Sequence, residues 1–246
     1  MGQGLKRITS RLTWVEKGNC VRYICPVSGS AVGPPSTSKP LHTMKQDHLH
    51  YVLLDASGSM QNCYDTTLST LNEQSAAMRE VQKNNPDQNI KFSVSDFSDD
   101  YRMWFAPKPI GEIREFREEQ YQLRGCTALY DALGTLITRT IDHVGEDAPS
   151  KGTSISIMTL TDGYENASRI FSSGALRLLI DNLTQKGWEF RFIGADVDPL
   201  EVGRAIGMDA RRTRRFAKEE LHDYSPYMHA EVNDIIAEKR RRFNLF

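Results

Sequence analysis

Tyr51-Val52-Leu53-Leu54-Asp55-Ala56-Ser57-Gly58-Ser59 joins an apolar run to a turn that carries one carboxylate and two hydroxyls. A run this short, closed by Ser and Gly, reads as a buried strand. Alternate side chains of an extended segment point the same way. Asp55, Ser57 and Ser59 can therefore converge on one small hard cation, for which oxygen ligands are suited. Gly58 lets the backbone turn tightly between the hydroxyls. Taken alone, the pentapeptide is better read as an ordinary Ser-rich turn, because Ser, Gly and Asp populate such turns.

Outward from this junction, strand and helix patterns alternate. A strand over 48–54 is followed by a helix over 66–83, with Leu68, Leu71, Ala76, Met78 and Val81 available for its apolar face. Strands over 90–97 and 101–105 are separated by Ser98-Asp99-Asp100 alone, which makes them a hairpin. A short polar helix over 113–121 and an amphipathic one over 129–144 come next. A strand over 154–160, a helix over 174–186 and a strand over 188–193 follow. A short helix over 199–206 has Pro199 at a favoured early position. An edge strand at 214–216 and a long final helix over 217–242 complete the pattern. This order predicts a doubly wound α/β fold, with a mostly parallel sheet, one antiparallel edge hairpin and helices on both faces. Ligands of such sheets bind outside the carboxyl ends of the strands. The Asp55 turn lies at such an end, and so does Thr161-Asp162-Gly163. The hairpin tip Asp99-Asp100 joins them if its first strand runs parallel to the strand at 48–54.

The 246 residues suit one large domain, or one with appendages. Apolar content of 39% and charged content of 26% are those of an ordinary globular protein. A net charge of −1 gives no overall bias toward nucleic acid or acidic membranes. No apolar stretch is long enough to cross a bilayer. Lys6, Arg7 and Arg11 lack the apolar region of a secretory signal behind them, and the four cysteines are scattered. Both features point to the cytoplasm. Residues 1–46 read as an N-terminal extension. Within it, 12–15 and 21–24 can pair as a hairpin across Lys17-Gly18-Asn19, and 28–40 is a Ser/Gly/Pro-rich linker. A start at Met44 would leave the second domain, 47–246, complete.

A third loop bears on the cation reading. Arg124-Gly125-Cys126-Thr127-Ala128-Leu129-Tyr130-Asp131-Ala132 ends a turn and opens a helix. Thr127 is a natural N-cap, and that is its plain structural role. Its hydroxyl could instead face a cation at the sheet edge. Asp162-Gly163 is likewise an ordinary turn when read alone.

Together, Asp55-x-Ser57-x-Ser59, Thr127 within Gly-x-Thr-x-Leu-Tyr-Asp-Ala, and Thr161-Asp162-Gly163 resemble the von Willebrand factor A (VWA) family. They match the order and spacing of its metal-ion-dependent adhesion site (MIDAS). The stretches 161–168, 187–190 and 192–196 further resemble small stand-alone VWA proteins of bacteria and their phages. Those proteins commonly carry Glu where this chain has Tyr164. The resemblance implies that Ser57, Ser59 and Thr127 supply neutral hydroxyl ligands. It implies that Asp55 and Asp162 supply carboxylates, directly or through water, to Mg²⁺, Mn²⁺ or Ca²⁺. Mostly neutral ligation leaves residual positive charge, which attracts an Asp or Glu of a protein partner.

Other readings are weaker. Haloacid-dehalogenase-like phosphatases resemble Asp-x-Asp after a strand, but here the second position is Ser57, so the acid is missing. No His accompanies the three loops, and there is no Gly-x-Ser-x-Gly nucleophile elbow. Gly203-Arg204-Ala205-Ile206-Gly207 follows Pro199 on a helix and lacks the strand–turn context of a dinucleotide loop. Cys20 and Cys25 with His42, His48 and His50 have the wrong spacing for a common zinc knuckle. Cys63 and Cys126 read as small buried residues. The basic runs Arg211-Arg212, Arg214-Arg215 and Lys239 to Arg242 are diluted by Glu219, Glu220, Glu231 and Glu238. They read as a solvated helix end more than a nucleic-acid surface. The expectation is a cytoplasmic, non-catalytic binding module. The alternative is a metal-dependent hydrolase or phosphate-binding protein.

Overall fold

A strand covered on both faces must be apolar or small at nearly every position. Ser154–Thr161 satisfies this and is buried throughout; Gln46–Asp55 is buried from His48 onward, with its buried His48 and His50 paired to the side chains of Gln88 and Gln74. The computed structural model describes residues 15–16, 19–20, 46–195, 199–208, 213–216 and 237. The backbone divides into two compact units, Met1–His42 and Thr43–Phe246. In the first, β1 (Val15–Glu16) pairs antiparallel with β2 (Asn19–Cys20), with Glu16 opposite Asn19. Asn19, expected in the turn, therefore belongs to a strand. The rest of the expected hairpin and the linker lie outside the described residues.

The second unit holds a six-stranded sheet. Its strands are β3 (Gln46–Asp55), β4 (Gln88–Phe97), β5 (Tyr101–Pro109), β6 (Ser154–Thr161), β7 (Glu189–Ala195) and β8 (Thr213–Phe216). They lie in the order β5-β4-β3-β6-β7-β8. Only β4 and β5 pair antiparallel; the other pairs are parallel. The predicted doubly wound sheet with one antiparallel edge hairpin is therefore present, and the hairpin tip does join the carboxyl edge. Helix α1 (Tyr64–Asn84) covers one face. Helices α2 (Leu129–Val144), α3 (Ser173–Gln185) and α4 (Pro199–Ala205) cover the other.

Two expectations change. Helix α1 buries Thr67, Leu71, Gln74, Met78 and Val81, a heptad-like stripe. Ala76 is exposed and Ala77 buried in its place. The stripe runs through polar Thr67 and Gln74, which a hydrophobicity count passes over. The polar helix expected over 113–121 does not form. A short 3-10 turn at Ile110–Glu112 precedes the segment and another at Glu118–Gln120 lies within it. Between them the Asn72 side chain accepts from Phe116 N and donates to Phe116 O, at 2.7 and 3.0 Å. Those bonds replace helical ones and let Ile113 and Phe116 both enter the core. A 3-10 turn at Gly58–Cys63, not anticipated, leads from the Asp55 turn into α1. Among the described residues no helix is long and apolar enough to cross a membrane. Apart from Ala237, the expected final helix lies outside the described residues, as do Arg211-Arg212 and Lys239 to Arg242.

Candidate metal centre

The register of the sheet dictates which side chains meet. Leu54 lies opposite Asp96 on one side and Leu160 on the other. Asp55 thus leaves β3 beside the last residue of β6, Thr161. The Thr161 hydroxyl donates to Asp55 Oδ2, and Ser57 N donates to Asp55 Oδ1 at 2.7 Å. The Tyr121 hydroxyl donates to the Asp55 carbonyl. The carboxylate is thereby fixed before any ligand arrives. Burial pushes the Asp55 carboxyl above its ordinary value; the Thr161 and Ser57 hydrogen bonds oppose the rise and the charge of Asp162 adds to it.

The remaining oxygens form a chain. Ser57 Oγ lies 3.0 Å from Ser59 Oγ, which donates to Asp162 Oδ1 at 2.6 Å. Gly163 shows how Thr127 joins them. A methyl group on its Cα would sit 3.1 Å from Thr127 Oγ1, 3.4 Å from Ser59 Oγ and 3.7 Å from Asp55 Oδ2. Five residues on three loops thus gather around one small volume. Asp55, Ser57, Thr127 and Asp162 are buried, and Ser59 is exposed.

Thr127 is not the N-cap. Helix α2 is capped at Ala128 without any side-chain cap bond. The Thr127 hydroxyl is thus not spent on the helix end. The loop that carries it is tied on both sides. Arg124 N donates to Ala56 O at 2.6 Å, and Gly58 N donates to Gly125 O at 3.4 Å. The Arg124 guanidinium pairs with buried Asp96 and with Asp100, each at 2.9 Å. Gly125 has φ +58°, and a Cβ there would meet Asp99 Oδ2 at 2.1 Å, so only glycine fits.

Two carboxylates and three hydroxyls make an all-oxygen donor set, which suits a hard divalent cation. Among the described residues no three His, Cys, Asp or Glu side chains gather, so the set depends on its hydroxyls. Of the residues in the zinc reading, His48 and His50 are buried in β3, with Nε2 atoms 2.6 Å from Gln88 Oε1 and 2.8 Å from Gln74 Nε2. The side chains of Cys20, Cys25 and His42 lie outside the described residues. Cys63 is buried as expected, but Cys126 is exposed. The positions missed from sequence are Thr161, Tyr121, Arg124 and Asn166. Thr161 could have been found, since parallel pairing of β3 with β6 brings it beside Asp55.

Fold and site together define a class: a doubly wound α/β domain with a carboxylate–hydroxyl cluster at the carboxyl edge of its sheet. Residues 51–165 match the model of the von Willebrand factor type A domain. The pilus adhesin SpaC from Lactobacillus rhamnosus GG shares the fold, with a TM-score of 0.54 at 12% identity over 76% of this chain and 30% of that one. Proximal thread matrix protein 1 from the mussel byssus, solved with a zinc-occupied MIDAS motif, gives 0.51 at 15% identity over 76% and 46%. The manganese-loaded Plasmodium vivax TRAP protein gives 0.49 at 17% identity over 75% and 74%. The chain thus spans less than half the length of the mussel protein and of the adhesin. No curated protein sequence matches the chain.

Proposed function

We propose that this chain is a non-catalytic module that binds a protein partner through a divalent cation. Asp55, Ser57, Ser59, Thr127 and Asp162 would hold Mg²⁺, or Mn²⁺ or Ca²⁺ in its place. The convergence of Thr127, Ser59 and Asp55 oxygens around Gly163 carries the reading. When bound, a six- to eight-coordinate hard cation would have room beyond these three hydroxyls and two carboxylates, and an Asp or Glu side chain of the partner would complete its oxygen shell. Ser57 supports a binding role over hydrolysis, because a general acid would be needed where it stands. The described histidines, His48, His50 and His143, sit in the first half of β3 and the last turn of α2. The proposed setting is the cytoplasm of a bacterium, or of one infected by a phage.

The test is Asp55→Ala. Calorimetry should show Mg²⁺ and Mn²⁺ binding in the wild type and none in the variant, with circular dichroism unchanged. A pull-down with and without chelator should lose the same partners that Asp55→Ala loses. Unchanged metal affinity in the variant would refute the site. Phosphoester turnover abolished by Asp55→Ala would refute the non-catalytic role.

A further inference from the structure

We propose that Asn166 is the positioning residue that holds Thr127 at the metal centre and locks it to the Asp162 loop; this rests on the metal-binding reading above. The first N–H groups of a helix lack partners within it, and a hydroxyl at the N-cap ordinarily supplies one. Helix α2 finds its partners elsewhere. Thr127 N donates to Asn166 Oδ1 at 2.9 Å, and Asn166 N donates back to Thr127 O at 3.0 Å. Tyr130 N donates to Glu165 Oε2 at 2.9 Å, and Asp131 N donates to Ser168 Oγ at 3.0 Å. In return, the Asp131 carboxylate accepts from Arg169, Ile170 and Phe171 main-chain N–H groups at 2.7 to 2.8 Å.

The segment 165–171 is thus zipped to the start of α2, and Asn166 grips Thr127 by both of its main-chain groups. Two consequences follow from the bonding. The Thr127 hydroxyl need not cap the helix, so it is available beside Ser59 and Asp55. Asp162 stands four residues before Asn166 on the same loop, so Thr127 and Asp162 keep their spacing although they come from different loops. Groups that orient metal ligands without touching the metal typically alter affinity about 10- to 100-fold.

The experiment uses the full chain as wild type, Asn166→Ala, Asn166→Asp and Asp55→Ala. Mn²⁺ affinity is read by calorimetry, and amide hydrogen exchange at Thr127 is read in chelator. Asn166→Ala should bind Mn²⁺ about 10- to 100-fold more weakly and exchange its Thr127 amide faster even without metal. Asn166→Asp keeps an oxygen acceptor for that amide and should restore slow exchange and most of the affinity. Wild-type affinity or unchanged Thr127 exchange in Asn166→Ala overturns the inference, as does equal damage in both variants. If the wild type binds Mn²⁺, Asp55→Ala does not and Asn166→Ala does so fully, only the role of Asn166 falls. If the wild type fails to bind Mn²⁺, the metal reading falls and takes this one with it.

Discussion

Gly163 is small because of where its neighbours are, not because of its backbone. Its φ lies outside the left-handed region that excludes side chains, whereas that of Gly125 is +58°. A Gly163→Ala variant therefore keeps an allowed backbone but sets a methyl carbon among Thr127, Ser59 and Asp55 oxygens, the nearest at 3.1 Å. The two glycines thus separate stability from ligation. Gly163→Ala should lower Mn²⁺ affinity at least tenfold in calorimetry. Its unfolding free energy in chelator should fall by no more than about 1 kcal/mol, because Thr127 Oγ1 need give way by only a few tenths of an ångström. A variant that binds Mn²⁺ normally would mean that this volume is not where the ion sits.

At the scale of elements, the start of α2 and the loop that follows β6 behave as one piece, and packing adds to the hydrogen bonds already described. Phe171 lies flat on the helix at Gly134, where a Cβ would stand 2.6 to 2.7 Å from three ring atoms. Gly134→Ala should gain about 1 kcal/mol of helix propensity and lose about 1–3 kcal/mol by displacing that ring, for a net destabilisation. In a Phe171→Ala background the same change should be neutral or stabilising. Urea unfolding of the four proteins measures the coupling. Additive effects would show that the ring does not bear on Gly134. The bounds of α2 were legible from sequence, because Leu129, Leu133, Leu136, Ile137 and Thr140 repeat at helical spacing and all are buried. The segment at 113–121 was not, because its hydrogen bonds go to Asn72, 44 residues away. The same limit hid Asn166: its partner Thr127 is 39 residues away on another loop. Asp55, Ser57, Ser59, Thr127 and Asp162 were singled out by their resemblance to the VWA motif, since each loop alone reads as an ordinary turn or cap; the structure brings their oxygens together at one edge of the sheet.

For the molecule as a whole, the sheet that presents the cluster at its carboxyl edge carries a titratable group in its interior. His50 on β3 is buried and stacked on Phe92 of β4, with ring centroids 5.6 Å apart. The side-chain amide of Gln74 on α1 lies 2.8 Å from His50 Nε2. Burial, and then the charge of Arg191 on β7, lower its pKa from 6.5 to about 3. The sign of the linkage follows. Between pH 6.5 and about 3 the unfolded chain binds a proton at this histidine and the folded protein does not. Folding stability from this group is therefore complete above pH 6.5 and declines as the pH falls toward about 3. The slope reaches about 1.4 kcal/mol per pH unit where the difference is a full proton. His50→Gln removes that proton from the balance while leaving the other titrating groups in place. In chelator, urea unfolding between pH 6 and 4 should show wild-type stability falling more steeply than that of His50→Gln, by up to about 1.4 kcal/mol per pH unit. Parallel slopes would mean that the folded protein takes up the proton at His50, through an opening of the β3–α1 interface that this packing does not provide.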